Sequence, residues 1–154
     1  IAEMARVDGG VVGAGTLLTA QDVEAARAAG ASFGVSPGAT DRLIDACIAN
    51  DLPLLPGAAT ATEVMVLLEK GFDMLKFFPA EASGGATALK AIGAPIPRGA
   101  FCPTGGVTPA NAPSYLSLSN VICAGGSWVA PADAVSRGDW GKVTALARDA
   151  AGLR

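Results

Sequence analysis

Apolar residues along this chain fall into six short runs, each ending in small or turn-forming residues and each followed by a helical pattern. The runs are Gly10 to Thr16, Ser32 to Gly38, Leu52 to Gly57, Met74 to Ala80, Ala100 to Gly106 and Val121 to Ser127. Their starts are about 20 to 26 residues apart, the length of a strand plus a crossover helix. The runs are apolar throughout rather than alternating, as strands covered on both faces require.

The segments between them carry helix-start signals. Thr19-Ala20-Gln21-Asp22 and Thr60-Ala61-Thr62-Glu63 have capping-box spacing. Gly30 and Gly71 stand where helices would stop. Thr40-Asp41 opens a helix to about Asn50, and Ala86 to Ile92 forms a short one. Thr108-Pro109 places proline at a first helical position, leading to about Leu116. Pro131 opens a segment that breaks at Gly138 and resumes to about Ala151. Ile1 to Arg6 looks like the tail of one further helix.

Regular alternation of this kind predicts an α/β fold with a parallel sheet and right-handed crossovers. A doubly wound sheet and a (β/α)8 barrel both fit. Gly13-Ala14-Gly15-Thr16 is too short for a dinucleotide fingerprint and lacks its third glycine. Candidate reactive residues instead fall at many strand ends, as in a barrel: Thr16, Pro37, Lys76, Phe78, Thr104 and Ser127.

The chain has 154 residues, room for a single domain spanning 1–154. It is 51% hydrophobic and 16% charged, the balance of a globular protein. A formal net charge of −3 without a basic cluster argues against nucleic acid and anionic membrane surfaces. No apolar run reaches the roughly 20 residues that span a bilayer. Cys47, Cys102 and Cys123 are odd in number and sit in apolar runs, so they read as reduced core thiols of a cytoplasmic protein. There is no histidine and no CxxC, which removes the usual zinc sites and Ser-His or Cys-His nucleophiles.

Lys76 stands inside Met74-Leu75-Lys76-Phe77-Phe78-Pro79, otherwise a buried strand. Lys70, Lys90 and Lys142 lie where a charge meets water. Desolvation of Lys76 would favour the neutral amine, a nucleophile for carbonyl carbon. The alternative is a lysine snorkelling from a strand end. Cys102-Pro103-Thr104-Gly105-Gly106 and Ala124-Gly125-Gly126-Ser127-Trp128 are glycine-rich turns before helices. They are either tight turns alone or anion sites, where backbone N–H groups and a helix N-terminus meet phosphate. Glu81 reads as a solvated loop charge. Trp128 is expected to pack on a helix start, and Trp140 to anchor the terminal helix.

Six motifs then occur in order: Gly13-Ala14-Gly15-Thr16, Ser36-Pro37-Gly38, Leu55-Pro56-Gly57, Leu75-Lys76-Phe77-Phe78-Pro79-Ala80-Glu81, Phe101-Cys102-Pro103-Thr104-Gly105-Gly106 and Gly125-Gly126-Ser127-Trp128. Together they resemble the 2-keto-3-deoxy-6-phosphogluconate (KDPG) and 4-hydroxy-2-oxoglutarate (KHG) aldolase family over the whole chain. The resemblance implies a (β/α)8 TIM barrel, a homotrimer, and chemistry without metal or other cofactor. It implies reversible splitting of KDPG, a phosphorylated keto acid, into pyruvate and glyceraldehyde 3-phosphate. Lys76 would be the Schiff-base lysine. Thr16, Pro37, Phe78 and Thr104 would line the pyruvate end, and Gly105, Gly106, Gly126 and Ser127 would hold phosphate.

The family's general base is a glutamate in a Glu-Val-Thr-Leu-Arg-like motif on an early strand, and that motif would lie upstream of Ile1. By this count the first two strands are missing, leaving about six of the eight βα units of a barrel. The expectation is therefore a fragment of a longer polypeptide, impaired by itself. Two other readings stay open. One is a phosphate-binding barrel enzyme without imine chemistry. The other is a non-catalytic fragment that binds sugar phosphate or pairs through an open strand edge.

Overall fold

The computed structural model describes residues 1–153. The chain divides into two compact units, one from Ile1 to Phe78 and the other from Pro79 onward.

In the first unit, strands β1 (Gly13–Ala14), β2 (Phe33–Val35) and β3 (Leu54–Leu55) form a parallel sheet in sequential order. Gly13 pairs with Phe33, and Val35 with Leu55. Helices α1 (Ala20–Ala28) and α2 (Asp41–Ala49) make the crossovers that parallel neighbours require. The two pack against the sheet through one core of Ala14, Leu17, Val23, Ala26, Ala31, Leu43, Cys47 and Leu52.

The run expected over Leu52 to Gly57 is two strands. Leu54–Leu55 pairs with β2, while β4 (Gly57–Ala58) pairs in parallel with β5 (Met74–Phe77), Gly57 opposite Lys76. Pro56 sits at the switch. It has no N–H to give either ladder, but its carbonyl accepts the Lys76 N–H at 2.8 Å.

Helix starts follow the local chemistry. The Thr19 hydroxyl accepts the Asp22 N–H, and the Asp22 carboxylate accepts the Leu18 and Thr19 N–H groups at 3.0 and 2.9 Å. Thr60 and Glu63 repeat this box ahead of α3 (Ala61–Glu69), with Glu63 accepting the Ala59 and Thr60 N–H groups at 2.8 and 2.9 Å. Those backbone donors hold both carboxyls below their ordinary values, for Glu63 chiefly the Ala59 N–H and for Asp22 chiefly the Leu18 N–H. Thr40 caps α2 through the Leu43 N–H. The helix tail expected over Ile1 to Arg6 is a single 3-10 turn, Met4–Arg6.

The second unit holds α4 (Gly85–Gly93), β6 (Ala100–Pro103), α5 (Ala112–Leu116), a 3-10 turn at Ser127–Val129, α6 (Ala132–Ser136) and α7 (Trp140–Ala151). Leu89, Phe101, Ala112, Tyr115 and Ala134 are fully buried in it. The break expected at Gly138 is present, with that glycine at φ 67°.

Several expectations need correcting here. Val121 to Ser127 is not a continuous strand. It meets β6 and its C-terminal extension at two parallel bridges, Phe101 with Val121 and Thr104 with Gly125. One more residue lies between Val121 and Gly125 than between their partners, so the ladder bulges there. The helix expected from Thr108 begins only at Ala112, because the Asn111 side chain accepts the Thr108 N–H at 2.7 Å and closes a turn first. Trp140 opens α7 but is 62% exposed, so it does not anchor that helix. Of the three thiols only Cys47 is in the core, while Cys102 is half-buried and Cys123 exposed. Among the described residues no helix is long and apolar enough to cross a membrane.

Candidate functional site

Four of the residues singled out by sequence lie in the first unit at or just beyond the C-terminal ends of its parallel strands: Thr16 after β1, Pro37 after β2, Lys76 in β5 and Phe78 after it. β5 alternates sharply. Leu75 and Phe77 are fully buried on one face, whereas Met74 is 49% exposed and Lys76 and Phe78 are half-buried on the other. Lys76 is thus only partly removed from water, less than a buried strand implied. Its Nζ lies 4.5 Å from the centre of the Phe78 ring, a cation–π distance.

Gly57 brings the β2 end close. A Cβ on Gly57 would stand 2.1 Å from the Pro37 carbonyl oxygen. Pro37, just beyond β2, thus meets Gly57 of β4, which pairs with Lys76 of β5, with backbone contact where a side chain would otherwise intervene. Thr16 has φ 63°, in the left-handed region that a β-branched residue rarely adopts. Such strain costs about 1–3 kcal/mol and collects at functional sites. Ser36, next to Pro37, is fully buried and its hydroxyl has no protein partner.

The remaining predicted residues lie in the second unit. Thr104, Gly105, Gly106, Gly126 and Ser127 line one open cleft of about 540 Å³ with Val107, Thr108, Gly125 and Trp128. The two glycine-rich turns are neighbours because Thr104 bridges to Gly125, and a Cβ at Gly125 would stand 2.9 Å from the Thr104 methyl. Gly105 and Gly106 have φ 90° and 84°, open to glycine alone at low cost. The Trp128 ring lies on Gly126, where a Cβ would come within 1.7 Å of it. No lining residue carries charge, so an anion here would be met by backbone N–H groups and hydroxyls. The Thr104 hydroxyl is buried without a protein partner, a donor left for something else to satisfy. Among the described residues no group of three or more His, Cys, Asp or Glu could hold a metal ion.

Glu81 is exposed, as a loop charge is expected to be, but it also has a fixed partner. Its carboxylate accepts a short hydrogen bond from the phenol of Tyr115, a residue with no exposed surface. Burial first, then the Glu81 bond and charge, hold the Tyr115 phenol well above its ordinary value, so it stays a donor. Neither Tyr115 nor the strain at Thr16 was singled out from sequence. Tyr115 lies 34 residues from its partner, and no local pattern announces that pairing.

Comparisons with known proteins identify the family. The profile of the family described as KDPG and KHG aldolase matches residues 1–146. The 2-dehydro-3-deoxy-phosphogluconate aldolase of Pseudoalteromonas atlantica is 52% identical over 140 residues, covering 91% of this chain and 65% of that protein. The chain thus spans slightly less than two thirds of that relative's length. Two solved structures superpose closely. KDPG aldolase of Zymomonas mobilis with 3-phosphoglycerate has a TM-score of 0.90 at 46% identity, covering all of this chain and 72% of that one. KDPG aldolase of Legionella pneumophila, with pyruvate captured as a covalent carbinolamine, has a TM-score of 0.88 at 42% identity, covering 92% and 69%. With the Lys76 strand, the Ser36-Pro37-Gly38 turn and the paired glycine turns all inside the matched span, the chain belongs to the KDPG and KHG aldolase family.

Proposed function

We propose that this chain carries the Schiff-base half of a class I aldolase. It would split KDPG reversibly into pyruvate and glyceraldehyde 3-phosphate, with 4-hydroxy-2-oxoglutarate as a second substrate. The observation that carries the proposal is Lys76 itself, opposite Gly57 in register and with its Nζ on the Phe78 ring.

The Lys76 amine adds to the C2 carbonyl of the keto acid, giving a carbinolamine that loses water to a protonated imine. A base removes the C4 hydroxyl proton, and the C3–C4 bonding electrons pass to the imine nitrogen. The aldehyde leaves and an enamine stays on Lys76. Protonation at C3 and hydrolysis release pyruvate and regenerate the amine. Phe78 suits the protonated imine, whose positive charge its ring face stabilises. Thr16, Pro37 and Thr104 would line the pyruvate end, the buried Thr104 hydroxyl being suited to the carboxylate. Gly105, Gly106, Gly126 and Ser127 would grip the phosphate through backbone N–H groups. By the resemblance, a glutamate of the family's Glu-Val-Thr-Leu-Arg-like motif would be the base.

The wider assembly belongs to the same proposal: a single domain that forms about six units of a (β/α)8 barrel, working as a cytoplasmic homotrimer without metal. The test is pyruvate release from KDPG, coupled to NADH oxidation by lactate dehydrogenase, by the protein encoded by the complete gene. Steady release, slower with unphosphorylated 4-hydroxy-2-oxoglutarate, is expected. No pyruvate from either compound would overturn the proposal.

A further inference from the structure

Glu81 touches the glycine-rich cleft without lining it. The loop after β5 runs alongside the end of β6: the Ala80 N–H donates to the Thr104 carbonyl at 2.8 Å, and the Glu81 N–H to the Gly105 carbonyl at 3.1 Å. The stem of Glu81 then lies flat on Gly106, where a Cβ would stand 2.7 and 2.8 Å from its Cγ and Cβ. Asn111 grips the same turn from another side, its amide donating to the Gly106 carbonyl at 3.1 Å. The turn that would hold phosphate is therefore seated on one acidic side chain.

A carboxylate beside an anion site is unfavourable unless something fixes where its charge points. Tyr115 does so. Its phenol donates to Glu81 Oε1, and both atoms lie beside Gly85 at the start of α4, 3.6 and 3.7 Å from where a Cβ would be. The positive end of α4 favours a carboxylate there. The head of Glu81 is thus held at α4 while its stem supports Gly106, and Glu81 is absent from the cleft lining.

We propose that the Glu81–Tyr115 pair is a positioning device for the phosphate end. It props the Gly105–Gly106 turn and keeps the Glu81 charge turned away from the bound anion. The inference rests on reading Gly105, Gly106, Gly126 and Ser127 as the phosphate grip.

The test uses Tyr115→Phe, Glu81→Gln and the double variant in the protein from the complete gene. Readouts are KM and kcat for KDPG and for unphosphorylated 4-hydroxy-2-oxoglutarate, inhibition by inorganic phosphate, and borohydride trapping of pyruvate. Tyr115→Phe keeps the ring but releases the carboxylate. It should raise KM for KDPG about tenfold, the factor for one lost charge-assisted hydrogen bond. Phosphate inhibition should weaken in parallel, while kcat, the unphosphorylated substrate and pyruvate trapping stay unchanged. Glu81→Gln, which keeps stem and acceptor, should resemble the wild type, and adding it to Tyr115→Phe should restore much of the lost affinity. Equal losses on both substrates, or no change on KDPG, would overturn the inference. If Tyr115→Phe does not fold, Glu81→Ala takes its place under the same criterion, since it removes the prop. A wild type that does not prefer the phosphorylated substrate would refute the phosphate reading instead.

Discussion

Gly57→Ala perturbs the smallest number of atoms with the largest consequence for Lys76. The added Cβ would stand 2.1 Å from the Pro37 carbonyl oxygen, 2.3 Å from its carbon and 2.8 Å from the Gly38 nitrogen. Carbon atoms prefer neighbours at about 3.5 Å or more, so one of two backbone segments must retreat by on the order of 1 Å. No flexible side chain is available to absorb that. Gly57 is buried and paired in register with Lys76, and the neighbouring Pro56 carbonyl holds the Lys76 N–H. A shift of β4 therefore carries the lysine with it. Overpacking of this kind costs about 1–3 kcal/mol, or roughly 3–10 °C in Tm for a chain of this size. A misplacement near 1 Å costs about 10²-fold in reaction rate. The assays are thermal unfolding and the rate at which borohydride traps pyruvate. Gly38→Ala is the control, because a Cβ there meets nothing within 4 Å. A Gly57→Ala protein that melts and traps pyruvate like Gly38→Ala would refute the close-approach argument.

Three further outcomes follow from the same geometry. Thr16→Gly removes left-handed strain worth about 1–2 kcal/mol and loses about 0.4–1 kcal/mol through a freer unfolded chain. Its Tm should rise slightly while pyruvate trapping slows, and a lower Tm would contradict the strain. Gly126→Ala must expel the Trp128 ring, which its Cβ would meet at 1.7 Å, so tryptophan fluorescence should shift red and phosphate affinity fall. An unchanged spectrum would contradict that packing. The capping carboxyls Asp22 and Glu63 have lowered values in the fold, so their stabilisation is complete above the ordinary carboxylate range near pH 4 and lost as pH falls below it. Tyr115 is raised, so its contribution is complete below about pH 10 and lost as pH rises further. Denaturant titrations across pH should show Glu63→Gln flattening the acid limb and Tyr115→Phe the alkaline one. Unaltered limbs would contradict these assignments.

What could be seen in the sequence was local. Thr19 with Asp22 and Thr60 with Glu63 are three residues apart, so the spacing that specifies each capping box is itself the geometry. The β5 strand was equally visible but not its one-sided burial: Leu75 and Phe77 are buried on one face, where an apolar run had implied cover on both. How far the Lys76 face is covered depends on what packs over it, and Met74 at 49% exposure marks that face as partly open. The Pro56 switch was hidden because an apolar run does not say which neighbour each half pairs with. The late start of α5 came from a side-chain competitor, Asn111, taking the N–H that the expected helix would have used. Among the site residues, the glycine turns could be read singly, but their shared cleft depends on the Thr104–Gly125 bridge. The seat of Glu81 depends on a tyrosine 34 residues away.

Everything proposed for this chain turns on whether Lys76 forms the imine. The direct measurement is incubation with pyruvate and borohydride, followed by intact-mass analysis and peptide mapping, beside Lys76→Met. One reduced-pyruvate adduct per chain is expected, mapped to Lys76 and absent from Lys76→Met. An adduct on Lys70, Lys90 or Lys142, or none in the protein from the complete gene, would contradict it.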